Sequence, residues 1–447
     1  MTPGSQPITV PASSSRRRPA HRRRAATSFL AAACLVAVLD RPGLAAAEPA
    51  GSRITAQAAS PSDGSPGKAA RQAQLERLIG QLLSAGAPGV IVRVDDGRGR
   101  PIQIAGQTAW SRQDHRLQAE DEFRMGSNTK TMMATLVLQL VGEGRLALTD
   151  PVEKWLPGQV PDGGAITLRM LLNHTSGLYD YTQDPVLLPS ILGRDARQWT
   201  SAQLLAVGVR HDPVFAPGAA WAYSNTDYAA IGAVLEKATG RSLADLVRDR
   251  IARPLHLRHT YYPTDSTWRG RHAHGYEPDA AHMPPGVPAE ARDYAGTHHD
   301  GHVNVSDSNP SWGGAAGAVV STAQDWSRFY TALMSGRLLP TAQLAQMRTT
   351  VPVDPDRPDG PGYGLGIETA TTPCGTVWAH DGGIPGYLST DFTDSAGHRT
   401  ASVLVSTEAF AETPAAFPGL TKASKALQSA TICAMFDKPT PTPPHAD

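Results

Sequence analysis

Ser127 and Lys130, the ends of Ser127-Asn128-Thr129-Lys130, are a hydroxyl and an amine spaced for nucleophilic chemistry. In a helix, residues three apart share a face. Burial disfavours the charged form of a lysine, so a dry site leaves a neutral amine able to take the serine proton. Moving a Lys pKa from roughly 10.4 to about 7 takes a difference of about 4 to 5 kcal/mol between protonation states. A serine at a helix start has a plainer use as an N-cap. Ser65-Pro66-Gly67-Lys68 has the same ends and spacing, but in a Pro/Gly/Ser stretch not expected to hold a helix. Context singles out Ser127: Met133, Leu136, Val137, Leu140 and Val141 follow it at the spacing of one helical face.

Acyl transfer also needs a proton relay and an oxyanion pocket. Tyr223-Ser224-Asn225 is the one Tyr-x-Asn among eleven tyrosines, and it precedes a helical pattern over 228–238. A phenol near a lysine can pass a proton to a leaving group, and an Asn amide can hold a substrate carbonyl. An aromatic anchoring a loop is the structural alternative. His380-Asp381-Gly382-Gly383 ends a strand-like run. Glycines let a substrate approach the backbone, so the Ser127 and Gly383 amides are candidates for an oxyanion hole.

The elements that must position these groups follow from periodicity. Leu75, Leu78, Ile79 and Leu82 mark an amphipathic helix; residues 90–94 and 102–105 flank a Gly-rich turn as a hairpin. Helices joined by Pro/Gly-rich loops fill 130–345. Strand patterns return at 377–380, 387–392 and 400–405, before a helix over 422–432. The expected fold is α/β of the α+β kind: an antiparallel sheet from both chain ends, flanked by helices, with a large helical insertion. No internal repeat is visible.

The first 47 residues read as an export signal, with arginines at 16–18 and 22–24, an apolar run over 27–39 and Ala45-Ala46-Ala47 as the cleavage site. The general secretory route is preferred to a twin-arginine one. Thirteen apolar residues are too few to span a bilayer, and Cys34 lies inside that run, which disfavours a lipoprotein. The expected product is secreted and without a membrane anchor: a linker over 48–72, a catalytic domain over 73–433 and a disordered tail over 434–447. Beyond residue 47, 34 Lys+Arg stand against 40 Asp+Glu, a net charge of −6. That excludes the basic footprint of nucleic-acid or anionic-membrane binding. The remaining cysteines, Cys374 and Cys433, are an even pair favouring a disulfide in an oxidising compartment.

Taken together, S-x-x-K, Y-x-N and the His380 motif resemble the active-site-serine penicillin-recognising family of class C β-lactamases, D-alanyl-D-alanine carboxypeptidases, esterases and D-aminopeptidases. Leu171-Leu172-Asn173-His174-Thr175-Ser176-Gly177-Leu178 looks like a further signature, read as a structural loop under the site. The likeness covers about 75–433 and is closest to soluble extracellular DD-peptidases, on Ser311-Trp312, residues 316–319, 333–336, 362–366 and the cysteine positions. The resemblance implies a β-lactamase/transpeptidase-like fold and an acyl-enzyme, with no cofactor and no catalytic metal. It assigns Ser127 as nucleophile, Lys130 as base, Tyr223 as relay and Asn225 to the substrate amide. It gives His380 to the proton network and Trp312 to the acyl side-chain pocket, with Asp381 and Gly382 beside the substrate. The expected activity is a D-alanyl-D-alanine carboxypeptidase on cell-wall peptides, from a monomer acting on a small peptide, ester or β-lactam.

Two departures bear on substrate. Asp381 stands where the family has a hydroxyl that helps bind a terminal carboxylate. Residues 366–373 lack the Arg those DD-peptidases carry there and include Glu368. Repulsion of a carboxylate by a carboxylate costs on the order of 1 to 4 kcal/mol at close range. Asp381 therefore favours an ester or a substrate with a free amine, or else points away from the pocket. An esterase, a D-aminopeptidase and a β-lactamase are the alternatives, and a β-lactam-sensing domain the non-enzymatic one. A metal enzyme is the mechanistic rival, because six of the fifteen histidines lie between 272 and 302, including His272, His274, His298, His299 and His302, in what reads as a loop without a fixed frame. No G-x-S-x-G elbow is present.

Overall fold

The computed structural model describes residues 66–285 and 287–441. The expected export signal lies outside the described residues. Helix α1 spans Pro66–Ser84. The 66–68 stretch expected to resist a helix, and the end of the linker expected to reach 72, are its first two turns. Proline is tolerated there because the first amides of a helix have no intrahelical partner to lose.

Strands β1 (Gly89–Asp95) and β2 (Ile102–Gln107) form the expected hairpin. Six more strands come from the other end of the chain: β3 (Val351–Pro352), β4 (Gly362–Tyr363), β5 (Glu368–Thr372), β6 (Gly375–Ile384), β7 (Tyr387–Thr393) and β8 (Thr400–Val405). They form one antiparallel sheet in the order β2-β1-β8-β7-β6-β5-β4-β3, closed across the chain ends by pairs such as Ile91 with Leu404. On one face α1 packs with the C-terminal helix over Pro418–Met435, burying Leu75, Ile79, Leu82 and Leu427 against Val90, Val92 and Val403. Each such side chain contributes about 1.5 to 3 kcal/mol. The helical insertion covers the other face and shares a second core with Ile91 and Leu404.

Cys374 sits in the β5–β6 turn and is bonded to Cys433, Cα atoms 5.1 Å apart. The bond clips that turn to the C-terminal helix across a separation of 59 residues. Loop-closure entropy for that length is on the order of 4 kcal/mol, and about 2 to 4 is expected to be lost on reduction. Urea unfolding with and without reductant checks this; superimposable curves would refute it. The expected tail does not begin at 434: the helix runs to Met435, Lys438 N–H donates to the Cys433 carbonyl at 2.9 Å, and Asp437 pairs with Arg71 and Arg98.

The histidine-rich segment is also better framed than expected. Tyr276–Pro278, Thr297–His299 and His302–Asn304 form a small antiparallel sheet. Asp114 anchors it, taking bonds from Tyr276 Oη at 2.6 Å and Asn304 Nδ2 at 2.9 Å, with His274 Nδ1 at 3.0 Å. The rings stack rather than converge: His272 on Trp268, His302 on Trp110 and His274 on His115. No helix among the described residues is long and apolar enough to cross a membrane.

Candidate active site

Ser127 lies in a single 3-10 turn, Gly126–Asn128, that runs directly into helix α2, Thr129–Gly142. Gly126 needs its left-handed φ of 50° here, and a Cβ on it would meet Gly382 C at 2.6 Å and Gly383 N at 2.7 Å. The turn is therefore pressed onto β6. Asn128 locks it from below, donating to Ser389 Oγ at 2.7 Å, while Ser389 donates to the Met125 carbonyl. Helix α2 is buried from Thr129 to Leu138, and not along one stripe alone. It packs against helix α3, Asn225–Thr239, and its apolar residues share one core with Ile91 and Leu404 of the sheet.

Lys130 is fully buried, and its Nζ lies 2.9 Å from Ser127 Oγ, 2.8 Å from Asn225 Oδ1 and 2.8 Å from the Ala316 carbonyl oxygen. As an ammonium this group donates to all three acceptors; once neutral it keeps the last two and turns its lone pair to the serine hydroxyl. The Tyr223 ring centroid is 4.7 Å from Nζ. Asn225 is the first residue of α3, and its Nδ2 donates to the buried Asp180 carboxylate at 3.0 Å. Burial pushes the Asp180 carboxyl upward, opposed by hydrogen bonds from Thr182 and by the charge of Lys130.

Pairing between β5 and β6 stops at Glu368 with Ala379. Beyond it, His380 to Ile384 pair with β7 on their far side only. The turn carrying Ser127 packs on this stretch: a Cβ on Gly382 would stand 2.7 Å from Ser127 N. The Ser127 and Gly383 amides are thus brought close together, since a Cβ on Gly126 would stand 2.7 Å from Gly383 N, and glycine at 382 is what permits the approach. His380 is fully buried and held neutral, burial and then Lys130 depressing its pKa to about 3. Asp381 Oδ1 stands 3.9 Å from His380 Nδ1, and burial raises its carboxyl to about 7. Trp312 lies in a short turn, Pro310–Gly313, mostly within the core, with its carbonyl accepting from Tyr181 Oη at 2.8 Å.

Two groups have no signal in the sequence. The Ala316 carbonyl carries no side-chain signal. Asp180 follows the Leu171–Leu178 signature, yet nothing in its spacing points to Asn225. Glu368 stands out in the sequence as a carboxylate where an arginine is expected, but its place beside His380 comes only from the fold. Among the described residues, Glu368, His380 and Asp381 are the group that could hold a metal ion, with ligand atoms within 4.8 Å of one another. Both ring nitrogens are engaged, Nδ1 2.5 Å from the Asp381 carbonyl oxygen and Nε2 3.0 Å from Tyr363 Oη, so an ion would have to break one of these bonds.

Comparison with known proteins identifies the family. A family model described as Beta-lactamase matches residues 75–419. The crystal structure of a D-stereospecific amidohydrolase from Streptomyces sp. superposes with a TM-score of 0.66 at 38% identity, over 78% of this chain and 98% of that one. A penicillin-binding protein of Bacillus subtilis (strain 168) is 29% identical over 305 residues, 65% of this chain and 61% of its own length. Esterase EstB of Burkholderia gladioli is 34% identical over 229 residues, 46% of this chain and 55% of its own. The chain thus spans between half and two thirds of these two curated relatives. With the fold, the S-x-x-K turn and the family match in agreement, the chain belongs to the β-lactamase family of serine hydrolases, on the β-lactamase/transpeptidase fold.

Proposed function

We propose that the chain hydrolyses amides or esters of D-amino acids that carry a free α-ammonium group, through an acyl-enzyme on Ser127. Lys130 takes the Ser127 proton as Oγ attacks the carbonyl. The Ser127 and Gly383 amides receive the oxyanion, and the Lys130–Tyr223 pair returns the proton to the leaving amine or alkoxide. Water then attacks the ester and frees Ser127. Asn225 has a second Nδ2 hydrogen for the substrate carbonyl once Asp180 has taken the first.

The observation that carries the choice of substrate is the pair of carboxyl groups, Asp381 and Glu368, within 4.8 Å of one another around His380, where the charge of Lys130 reaches both His380 and Asp381. A terminal carboxylate is repelled there, and an ammonium group is attracted. The likeness to a D-stereospecific amidohydrolase supports the same reading. We rank the carboxypeptidase expected from the resemblance below it, because that substrate ends in a carboxylate.

N-acetylation of D-phenylalanine amide is expected to lower kcat/KM about tenfold or more with the native enzyme. Asp381→Thr should remove that preference and raise turnover of a D-Ala-D-Ala peptide. A nearby ammonium favours the ionised carboxyl. With Asp381 near 7 in the free enzyme, kcat/KM for the free-amine substrate should therefore rise as pH passes through about 7 and fall again above about 8, where the substrate α-ammonium loses its proton. Equal rates on the acetylated and free amides would sink the proposal.

A further inference from the structure

A buried chain of hydrogen bonds behind the site has ends that fix every proton within it. At one end His380 Nδ1 lies 2.5 Å from the Asp381 carbonyl oxygen, which can only accept. Nδ1 therefore carries the hydrogen, and Nε2 is a lone pair. Of the two acceptors that Tyr363 Oη faces, the Tyr228 oxygen, whose own hydrogen goes to the Leu172 carbonyl, and this Nε2 at 3.0 Å, the imidazole lone pair is the more basic and takes the hydrogen. With its hydrogen spent, this oxygen accepts from His174 Nε2 at 3.2 Å. His174 then presents a lone pair at Nδ1. At the other end the Ser224 backbone N–H, which can only donate, is aimed at that Nδ1 from 3.3 Å. Asp227 Oδ2 is 2.9 Å from the same nitrogen. Two lone pairs at that distance repel, so this oxygen bears a proton. The other Asp227 oxygen accepts from the Ser176 hydroxyl, which in turn accepts from Leu178 N–H at 3.0 Å.

We propose that Asp227 is a neutral carboxylic acid in the working enzyme and heads a one-directional chain, through His174, Tyr363 and His380 to the Asp381 carbonyl, that positions β6 beside Ser127. Asp227, His174 and Tyr363 are positioning residues. The opposite His380 tautomer would set two lone pairs 2.5 Å apart and push the Asp381 peptide off the ring. Gly382, packed against the Ser127 amide, would move with it. The chain also keeps two imidazoles uncharged near Lys130.

The electrostatics run the same way. Burial, and then the Asp180 charge, push Asp227 well above the usual carboxylate range against hydrogen bonding from Ser176 and the charge of Lys130. Burial, then Lys130 and His380, hold His174 well below the usual histidine range. All three of Asp227, His174 and His380 are fully buried. The 171–178 signature, which sequence reading treated as a structural loop, supplies the middle of this chain.

Asp227→Asn is the decisive variant, because an amide offers His174 an N–H and Ser176 an oxygen in the shape of the neutral acid. Its kcat/KM on p-nitrophenyl butyrate should stay within about threefold of native. A loss above a hundredfold with an unchanged melting curve would overturn the proposal, since Asn in place of a charged Asp partner forces the wrong histidine tautomer at a cost near 10⁴-fold. Tyr363→Phe, which cuts the chain at its centre, should lower kcat at least tenfold with little change in KM; an unchanged kcat counts against the chain. Nitrogen-15 NMR of the histidines in the native protein needs no variant and no substrate. Hydrogens on His174 Nε2 and His380 Nδ1 support the proposal, and a hydrogen on His174 Nδ1 overturns it.

Discussion

Replacing Ser127 by alanine is expected to lower kcat/KM by about 10⁴-fold or more and to abolish any covalent adduct. In the proposed route every bond change passes through Oγ: it forms the ester as the leaving group departs and is freed when water attacks. Without it, only the oxyanion amides and the binding surface remain, and such a remnant accelerates reaction about 10³ to 10⁴-fold over water. The fold should tolerate the change. Ser127 contributes one side-chain hydrogen bond, with Lys130, which keeps two further acceptors in Asn225 and Ala316. Intact mass after incubation with benzylpenicillin, or with an activated ester, is the direct readout. A mass increase on the native chain alone meets the expectation. An adduct of equal yield on the alanine variant, or a rate within tenfold of native, would place the nucleophile elsewhere.

Lys130→Met should come close to the same loss in kcat, about 10³ to 10⁴-fold, because it removes the group placed to take the serine proton. Methionine fills a similar volume, so packing around α2 is kept. The variant does strand the Asn225 Oδ1 and Ala316 carbonyl acceptors, at about 1 to 3 kcal/mol each, partly offset by no longer burying an amine. Activity should thus fall by orders of magnitude while the melting temperature moves by a few degrees. The double variant with Ser127→Ala should be scarcely worse than either single one, since the two residues act as a unit. Multiplicative losses in the double variant would show that Lys130 works independently of Ser127, and retention of a tenth of native kcat would dismiss it as the base.

Much of this was legible before any coordinates, for a local reason. Ser127 and Lys130 are three residues apart on one helical turn, so their contact depends on backbone geometry that short-range periodicity reports. The β1–β2 hairpin and the late strands are legible for the same reason, and their joining into one sheet follows from the order of elements along the chain. Where local signals misled, a tertiary partner had intervened. Pro66 and Gly67 begin a helix because Leu75, Ile79 and Leu82 downstream are anchored on the sheet. The histidine-rich segment is framed by Asp114, from a distant part of the chain. The tail is held at Asp437 by arginines more than three hundred residues away.

Local sequence sets the chemistry available: a hydroxyl and an amine on one turn, a Tyr-x-Asn, a glycine pair after a histidine, and the family they resemble. Tertiary structure alone decided what surrounds them. The Ala316 carbonyl fixes the Lys130 amine, Asp180 backs Asn225, and Glu368 comes up beside His380. Tyr363 joins His174 to His380 across 189 and 17 residues of chain. Such contacts have no period and no spacing rule, because they arise where separate elements pack. Hydrogen-bond direction then follows from which buried partners can only donate and which can only accept.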